Sequence, residues 1–129
     1  MGNFVEQCKR LPDLLMGEGS QNELIEMAEK KLGLFFAKDY TEYLRKFGVM
    51  ACNGHELTGL GASSRLNVVD VTLEERQRNL NISPDWYVIE QTNIDGMVIW
   101  QSETGEIYQA VNEAGKKICG SLMEYIENF

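Results

Sequence analysis

The chain has 129 residues, of which 43% are hydrophobic and 25% are charged, and its formal net charge is -8. This length supports one domain, residues 1–129, and the composition excludes an intrinsically disordered chain. The acidic balance argues against direct binding of nucleic acid, because contacts to phosphates require clustered lysines and arginines. The longest apolar run has six residues, whereas a bilayer-spanning helix needs about 20, so no membrane segment is expected.

Five helices are predicted from apolar residues at helical spacing. The first covers residues 4–11, and the third covers Lys38 to Phe47. The other three begin at capping boxes, in which a hydroxyl residue is followed three positions later by glutamate: Ser20 with Glu23, Thr72 with Glu75, and Ser121 with Glu124. Gly33 is expected to end the second helix in the left-handed conformation that favours glycine.

From Glu56 onward, short runs rich in β-branched and aromatic residues predict strands. The candidates are Glu56 to Leu60, Asn67 to Val71, Trp86 to Gln91, Met97 to Gln101, Ile107 to Val111, and an edge strand from Lys116 to Cys119. Glycine-bearing turns connect the runs between residues 86 and 111 and predict an antiparallel meander. Helices, then strands, then a helix indicate an α+β fold, in which helices flank a central, mainly antiparallel sheet.

Side chains alternate between the two faces of a strand, so Ile99 and Trp100 should point in opposite directions. We place Trp100 on the helix-packed face, together with Val98, and expect Ile99 to be partly exposed. Because truncation of a buried tryptophan typically costs about 3–5 kcal/mol, Trp100 should contribute strongly to stability.

The stretch between Arg78 and Lys116 contains no lysine or arginine but six carboxylates, which leaves a net charge of only -2 for the rest of the chain. It also contains both tryptophans. Charge asymmetry of this kind is typical of a surface that associates with a basic partner. The candidate partner-binding residues on the predicted meander are Asp85, Glu90, Asp95, Glu103 and Glu106. The alternative is an acidic run that arose by chance and only keeps the protein solvated.

All of these carboxylates except Glu90 lie in turns or at the ends of predicted strands, so they should be exposed to solvent. Because successive turns of a meander lie at opposite ends of a sheet, Asp95 and Glu103 should be far apart. Lysine substitutions at Glu90, Glu103 and Glu106 are expected to slow association with a basic partner and to leave the fold intact.

Three cysteines, Cys8, Cys52 and Cys119, cannot all pair within one chain, and none lies in a Cys-x-x-Cys motif. Because the N-terminus shows no secretory signal, they indicate reduced, mostly buried thiols in a cytoplasmic protein. Cys52 and His55 have the spacing of half a zinc site, but no second close pair completes it, so no metal or other cofactor is expected. They also lack an evident carboxylate to orient the histidine, so the chain is predicted not to be an enzyme.

Several motifs occur in an ordered succession. Residues 28–34 form the end of a helix with a Leu-Gly step, and residues 38–48 form a helix with an acidic-Tyr pattern that ends at glycine. Shorter motifs follow at Glu56 to Leu60, Val68 to Val71, Thr104 to Tyr108 and Ser121 to Ile126. Together they cover about residues 22–127, and this succession resembles the SUKH superfamily. Phe36-Ala37 stands where that family usually has a Leu-Pro pair, which leaves the subfamily open.

The resemblance implies helices around a central antiparallel sheet and a non-enzymatic role. Bacterial relatives are immunity proteins that bind and neutralise polymorphic toxins, and eukaryotic relatives regulate cell-wall assembly through protein contacts. Such toxins are often nucleases with basic active faces, to which an acidic surface is complementary. The leading hypothesis is a cytoplasmic antitoxin, a monomer or weak dimer, that occludes a basic toxin domain. The alternatives are a scaffold or regulatory module without a toxin partner and a small enzyme that uses Cys52 and His55.

Overall fold

A computed structural model of the chain describes residues 6, 8–11, 13–52, 54–60, 63–78, 81–92, 94, 96–111 and 114–127. Its helices are α1 (Asn22–Leu32), α2 (Lys38–Lys46), α3 (Val68–Arg78) and α4 (Leu122–Glu127), with a 3-10 turn at Ser64–Leu66. Its strands are β1 (Leu15–Met16), β2 (Met50–Cys52), β3 (His55–Leu57), β4 (Tyr87–Gln91), β5 (Val98–Gln101), β6 (Ile107–Val111) and β7 (Ala114–Cys119). The predicted α+β class is confirmed.

The strands form two antiparallel sheets, one in the order β1-β2-β3 and one in the order β4-β5-β6-β7. The second sheet confirms the predicted meander and its edge strand. The first sheet contains segments that the sequence assigned to loops, including the hairpin in which Cys52 pairs with His55. A hydrogen bond of 2.9 Å from the Thr58 amide to the Ile89 carbonyl connects the segment after β3 to β4.

Two of the predicted capping boxes are wrong. The helix α1 begins after Gln21, whose side chain makes no capping hydrogen bond, and Ser20 precedes that residue.

The helix α3 begins at Val68 rather than at Thr72, because Asn67 caps it. The Asn67 Oδ1 atom accepts hydrogen bonds from the amides of Val69 at 2.9 Å and Asp70 at 3.2 Å. The predicted strand from Asn67 to Val71 is therefore helical after its first residue.

Three other helix signals are confirmed. Gly33 ends α1 with a positive φ of 71°. The predicted third helix corresponds to α2, which ends one residue earlier at Lys46. At the start of α4, Ser121 Oγ accepts a hydrogen bond of 3.1 Å from the amide of Glu124. Of the predicted first helix, the described residues Glu6, Cys8 and Lys9 are helical.

Both faces of the four-stranded sheet are buried. Ile99 joins the larger core, to which α1, α2 and α4 contribute, whereas Val98 and Trp100 join a smaller cluster on the opposite face. The smaller cluster is covered in part by Val71 of α3. The predicted alternation is thus correct, but Ile99 is buried as well as Trp100. Trp100 is fully buried, and the helix that packs on its face is α3, whereas α1, α2 and α4 pack on the face of Ile99.

An irregularity in β4 turns Glu90 toward the interior. The register between β4 and β5 shifts between Val88 and Glu90, so that Val88 pairs with Trp100 and Glu90 pairs with Ile99. Such a bulge adds a residue to one strand and interrupts the alternation of faces. Glu90 therefore shares the face of Ile99, and it is only 4% exposed. This burial corrects the expectation that Glu90 lies on the acidic surface, and it removes the reason to expect that lysine there leaves the fold intact.

Polar groups within the larger core converge on Thr58. The hydroxyl of Tyr43 donates a hydrogen bond of 2.7 Å to the Thr58 carbonyl, and the hydroxyl of Tyr40 lies 2.9 Å from Thr58 Oγ1. Thr58 Oγ1 in turn donates to the carbonyl of Val88 at 2.8 Å. Because buried polar groups need such partners, this network fixes α2 against β4.

Candidate functional site

The meander brings three of the five candidate carboxylates to one end of the sheet. Antiparallel pairing places the start of β4, the end of β5 and the start of β6 at this end. Asp85 precedes β4 and is exposed, whereas Glu103 and Glu106 lie between β5 and β6 and are partly exposed. Asp95 lies outside the described residues, and Glu90 is in the interior.

Glu106 is paired with a lysine of the edge strand. Lys117 Nζ lies 3.0 Å from Glu106 Oε2, and the hydroxyl groups of Tyr108 and Thr104 donate to Oε1 at 3.2 Å and 3.3 Å. The hydrogen bond from Lys117, followed by that from Tyr108, lowers the pKa of Glu106. The charge of Glu106 is therefore balanced by a lysine of β7. Glu103, the other carboxylate of this turn, has no ion pair among the described residues.

Glu103 borders a groove at the C-terminal end of α1. The groove has a volume of about 630 Å³ and is lined by residues of α1, of the loop that follows it and of the β5–β6 turn: Glu26, Glu29, Lys30, Gly33, Leu34, Phe35 and Glu103. Three carboxylates and one lysine give this lining a formal charge of -2. We call it the α1 groove.

Two of these carboxylates hold the loop between α1 and α2. Glu103 Oε2 accepts a hydrogen bond of 2.8 Å from the amide of Phe35, and Glu29 Oε2 accepts one of 2.8 Å from the amide of Phe36. The ring of Phe36 is buried in the larger core and meets the ring of Tyr40 edge to face. Phe35, by contrast, is 72% exposed. An aromatic ring is thus presented to solvent on a loop whose backbone is fixed at two successive amides.

The sequence reasoning missed Phe35, Glu26 and Glu29 as site residues. The predicted helices are nearly neutral in net charge, so their carboxylates did not stand out. Phe35 lies in an apolar run, whose residues are expected to be buried in the core. The sequence carries no signal for Phe35, because Leu34, Phe35 and Phe36 are all apolar; only the structure shows that Phe35 is exposed between two buried neighbours. Alternation of this kind is expected where successive side chains of a non-helical segment point in opposite directions.

A second polar cluster lies in the interior around Glu90. The hydroxyl of Tyr125 donates a hydrogen bond to Glu90 Oε1, and His55 Nδ1 lies 2.9 Å from Glu90 Oε2. Because a carboxylate accepts and does not donate, His55 Nδ1 carries the hydrogen of this bond. Burial, and after it the Glu90 carboxylate, raises the pKa of Tyr125. The cluster connects β3, β4 and α4.

This cluster supplies the carboxylate beside His55 that was not evident from the sequence. Burial, and after it the nearby Glu90 carboxylate, raises the pKa of the Cys52 thiol. A catalytic thiol needs a lowered pKa instead. Burial also raises the pKa of Cys8, to about 12, and that of Cys119. All three cysteines are buried and free, as predicted.

Neither a metal-binding cluster nor a membrane-spanning helix is found in the part of the chain that the structure describes. There, no three His, Cys, Asp or Glu side chains are grouped so that they could hold a metal ion. None of the helices with described residues combines the length and the apolar character that crossing a bilayer requires.

The chain is similar to a known protein family over its whole length. Residues 1–129 match the family model SUKH_5, which is described as SMI1-KNR4 cell-wall. This match extends beyond the range of residues 22–127 that the ordered motifs cover. A comparison with curated proteins found no match.

Proposed function

Because the chain belongs to the SUKH superfamily, we propose that it is a cytoplasmic immunity protein that binds a basic toxin domain and neutralises it by occlusion. The full-length family match is the observation that carries this proposal. Members of this family generally act through immunity or regulatory contacts rather than through catalysis. The raised pKa of Cys52 also argues against a thiol enzyme.

The charge distribution supports a basic partner. The chain carries a net charge of -8, and the α1 groove and Asp85 place carboxylates at one end of the sheet. A nuclease toxin holds phosphates with lysines and arginines, and an acidic inhibitor can occupy the same groups. Complementary charges raise the association rate and reject wrongly charged partners. A nuclease domain is therefore the toxin class that this surface fits best.

The proposal predicts that a gene for a polymorphic toxin lies beside this gene, and the test uses the toxin domain of that protein. Expression of that domain alone should arrest bacterial growth, and co-expression of this chain should restore growth. The purified proteins should form a 1:1 complex in which the toxin activity is lost. An unrelated protein with the same net charge serves as the control, because it would protect cells if bulk acidity were sufficient. Growth arrest in the presence of this chain, with no complex formed, would contradict the proposal.

The second candidate is a regulatory interaction module without a toxin partner. The reference to the cell wall in the family description favours this alternative. The same experiment separates the two candidates, since a regulatory module would form no complex with the toxin domain and would give no protection. Deletion of the gene would then change cell-wall integrity rather than toxin sensitivity.

A further inference from the structure

We propose that the α1 groove binds an arginine side chain of the basic partner, with its guanidinium group held by Glu29 and Glu103 and stacked on the ring of Phe35. The inference takes the nature of the partner, a basic protein, from the proposed function. The chemistry of the site itself can be tested without that partner.

The two carboxylates have unused acceptor capacity. Each of them accepts a loop amide through Oε2, and among the described residues no hydrogen bond reaches Oε1 of Glu29 or Glu103. Glu26, on the same lining, has no hydrogen bond or ion pair within that part of the chain. Since each carboxylate oxygen offers two lone pairs, the α1 groove can accept several more N–H groups.

The site is also preorganised. The carboxylate of Glu103 is fixed by the amide of Phe35, and that of Glu29 by the amide of Phe36. The buried ring of Phe36 anchors the loop to the core. Because these groups are ordered before a ligand arrives, binding does not have to fix them, and more of the interaction free energy appears as affinity.

Arginine fits this arrangement better than other cationic groups. Its planar guanidinium presents five N–H donors, so it can bind two carboxylates at once, and its flat face can stack on an aromatic ring. Exposed Phe35 provides such a ring on the lining of the same groove. A lysine ammonium can make the ionic contact but has no planar face for stacking. The volume of about 630 Å³ leaves room for the partner segment that carries the arginine.

A second copy of this chain is a less suitable occupant. Each copy carries a net charge of -8, so two copies repel each other before any local contact forms. The lining of the groove is itself acidic, with a formal charge of -2. A basic partner is attracted both by the net charge of the whole chain and by the charge of the groove lining. Charge complementarity therefore favours a cationic protein segment as the occupant.

The experiment is an NMR titration of the ¹⁵N-labelled protein with N-acetyl-arginine amide at low salt. N-acetyl-citrulline amide, which has a similar shape without the charge, is the control ligand. We expect saturable shifts at the amides of Phe35 and Phe36 with arginine and none with citrulline.

Glu103→Gln keeps an acceptor for the Phe35 amide but removes the charge, so it should weaken binding about tenfold or more. Phe35→Leu should weaken it about two- to fivefold by removing the stacking face.

The matched control variant is Leu15→Ala. Leu15 is 71% exposed, as Phe35 is, but it lines a separate cavity beside β1 and β2. This variant should bind the arginine probe like the wild-type protein.

Equal shifts with arginine and citrulline, or equal binding by the Glu103→Gln variant, would overturn the inference. Toxin binding that is indifferent to Glu103→Gln would overturn it as well and leave the proposed function standing. Arginine binding without any toxin binding would overturn the proposed function alone.

Discussion

The hydroxyl group of Tyr125 donates a hydrogen bond to the carboxylate of Glu90, which connects the C-terminal helix to the interior of the four-stranded sheet. His55 Nδ1 contacts the other oxygen of the same carboxylate at 2.9 Å. The β-bulge between Val88 and Glu90 directs the Glu90 side chain to this position. Glu90 is therefore a structural residue, in contrast to Glu103 on the surface.

The first prediction concerns Glu90→Lys. The substitution places an ammonium group where two donors converge, so neither Tyr125 nor His55 can keep its hydrogen bond. The free energy of unfolding should fall by about 3–5 kcal/mol, as when one partner of a buried polar pair is removed. Urea unfolding followed by circular dichroism measures this loss.

The matched control is Glu26→Lys, with the same change of charge at an exposed site. Glu26 has no hydrogen bond or ion pair among the described residues, so its free energy of unfolding should change by less than about 0.5 kcal/mol. Similar unfolding curves for the two lysine variants would show that the Glu90 cluster does not contribute to stability.

The second prediction concerns Thr58, on which Tyr40 and Tyr43 converge. Thr58→Val keeps the shape of the side chain but removes the hydroxyl that contacts Tyr40 and donates to the Val88 carbonyl. The buried carbonyl then lacks that donor, which should cost about 1–3 kcal/mol. Thr58→Ser keeps the hydroxyl and loses only a methyl group, so it should be the more stable variant. A valine variant at least as stable as the serine variant in urea unfolding would refute this role.

The third prediction is a loss of stability at alkaline pH. Burial raises the pKa of Cys8 from 9.0 to about 12, and it raises those of Tyr40, Tyr43 and Tyr87 above 10.0. Above pH 9 the unfolded chain therefore releases protons that the folded chain keeps, which favours unfolding. Each group lowers the free energy of unfolding by about 1.4 kcal/mol per pH unit between its unfolded and folded pKa values.

Urea unfolding between pH 7 and pH 11 measures this slope. The control is Cys8→Ala, which removes one of the three thiols that titrate first in the unfolded chain, the one whose pKa is raised to about 12 by folding. Its stability should fall less steeply than that of the wild-type protein between pH 9 and pH 10, whatever its value at pH 7. Identical slopes for the two proteins would show that the Cys8 thiol is not held in its protonated form by folding.

The sequence predicts best those parts of the fold in which the apolar pattern, the turn residues and the helix caps all indicate the same structure. The meander has alternating apolar residues between glycine-bearing turns, and the start of α4 has a Ser121 cap that the structure retains. The strands β1 and β2 were missed because segments of two or three residues are too short to show alternation. The start of α3 was missed because the valines after Asn67 favour a strand by propensity, while the Asn67 cap and packing against the sheet favour a helix.

The candidate site was predictable only in part, because its contacts join distant segments. Glu103 emerged from the charge pattern, but the hydrogen bond that gives it a position reaches Phe35, 68 residues away in sequence. Glu90 emerged from the same pattern and was misplaced, because alternation cannot reveal a bulge. Charge counts along the chain also overlooked the pairing of Glu106 with Lys117 across β6 and β7.

The last prediction distinguishes Glu103 from Glu106 as determinants of partner association. Glu103 borders the α1 groove, whereas Glu106 is paired with Lys117 and does not line that groove. Glu103→Lys should slow association with the toxin domain by about tenfold at low salt, because steering depends on the local potential. At about 0.15 M salt the effect should shrink, since the Debye length falls to about 8 Å.

The control for this experiment is the double variant Glu106→Lys with Lys117→Glu, which preserves both the net charge and the ion pair. Its association rate, measured by stopped-flow fluorescence at the two salt concentrations, should match that of the wild-type protein. Glu103→Lys must also keep the wild-type circular dichroism spectrum, so that a slower rate reports on the surface and not on unfolding. If the double variant were the slow one and Glu103→Lys associated normally, the partner would bind the outer strands of the sheet rather than the α1 groove.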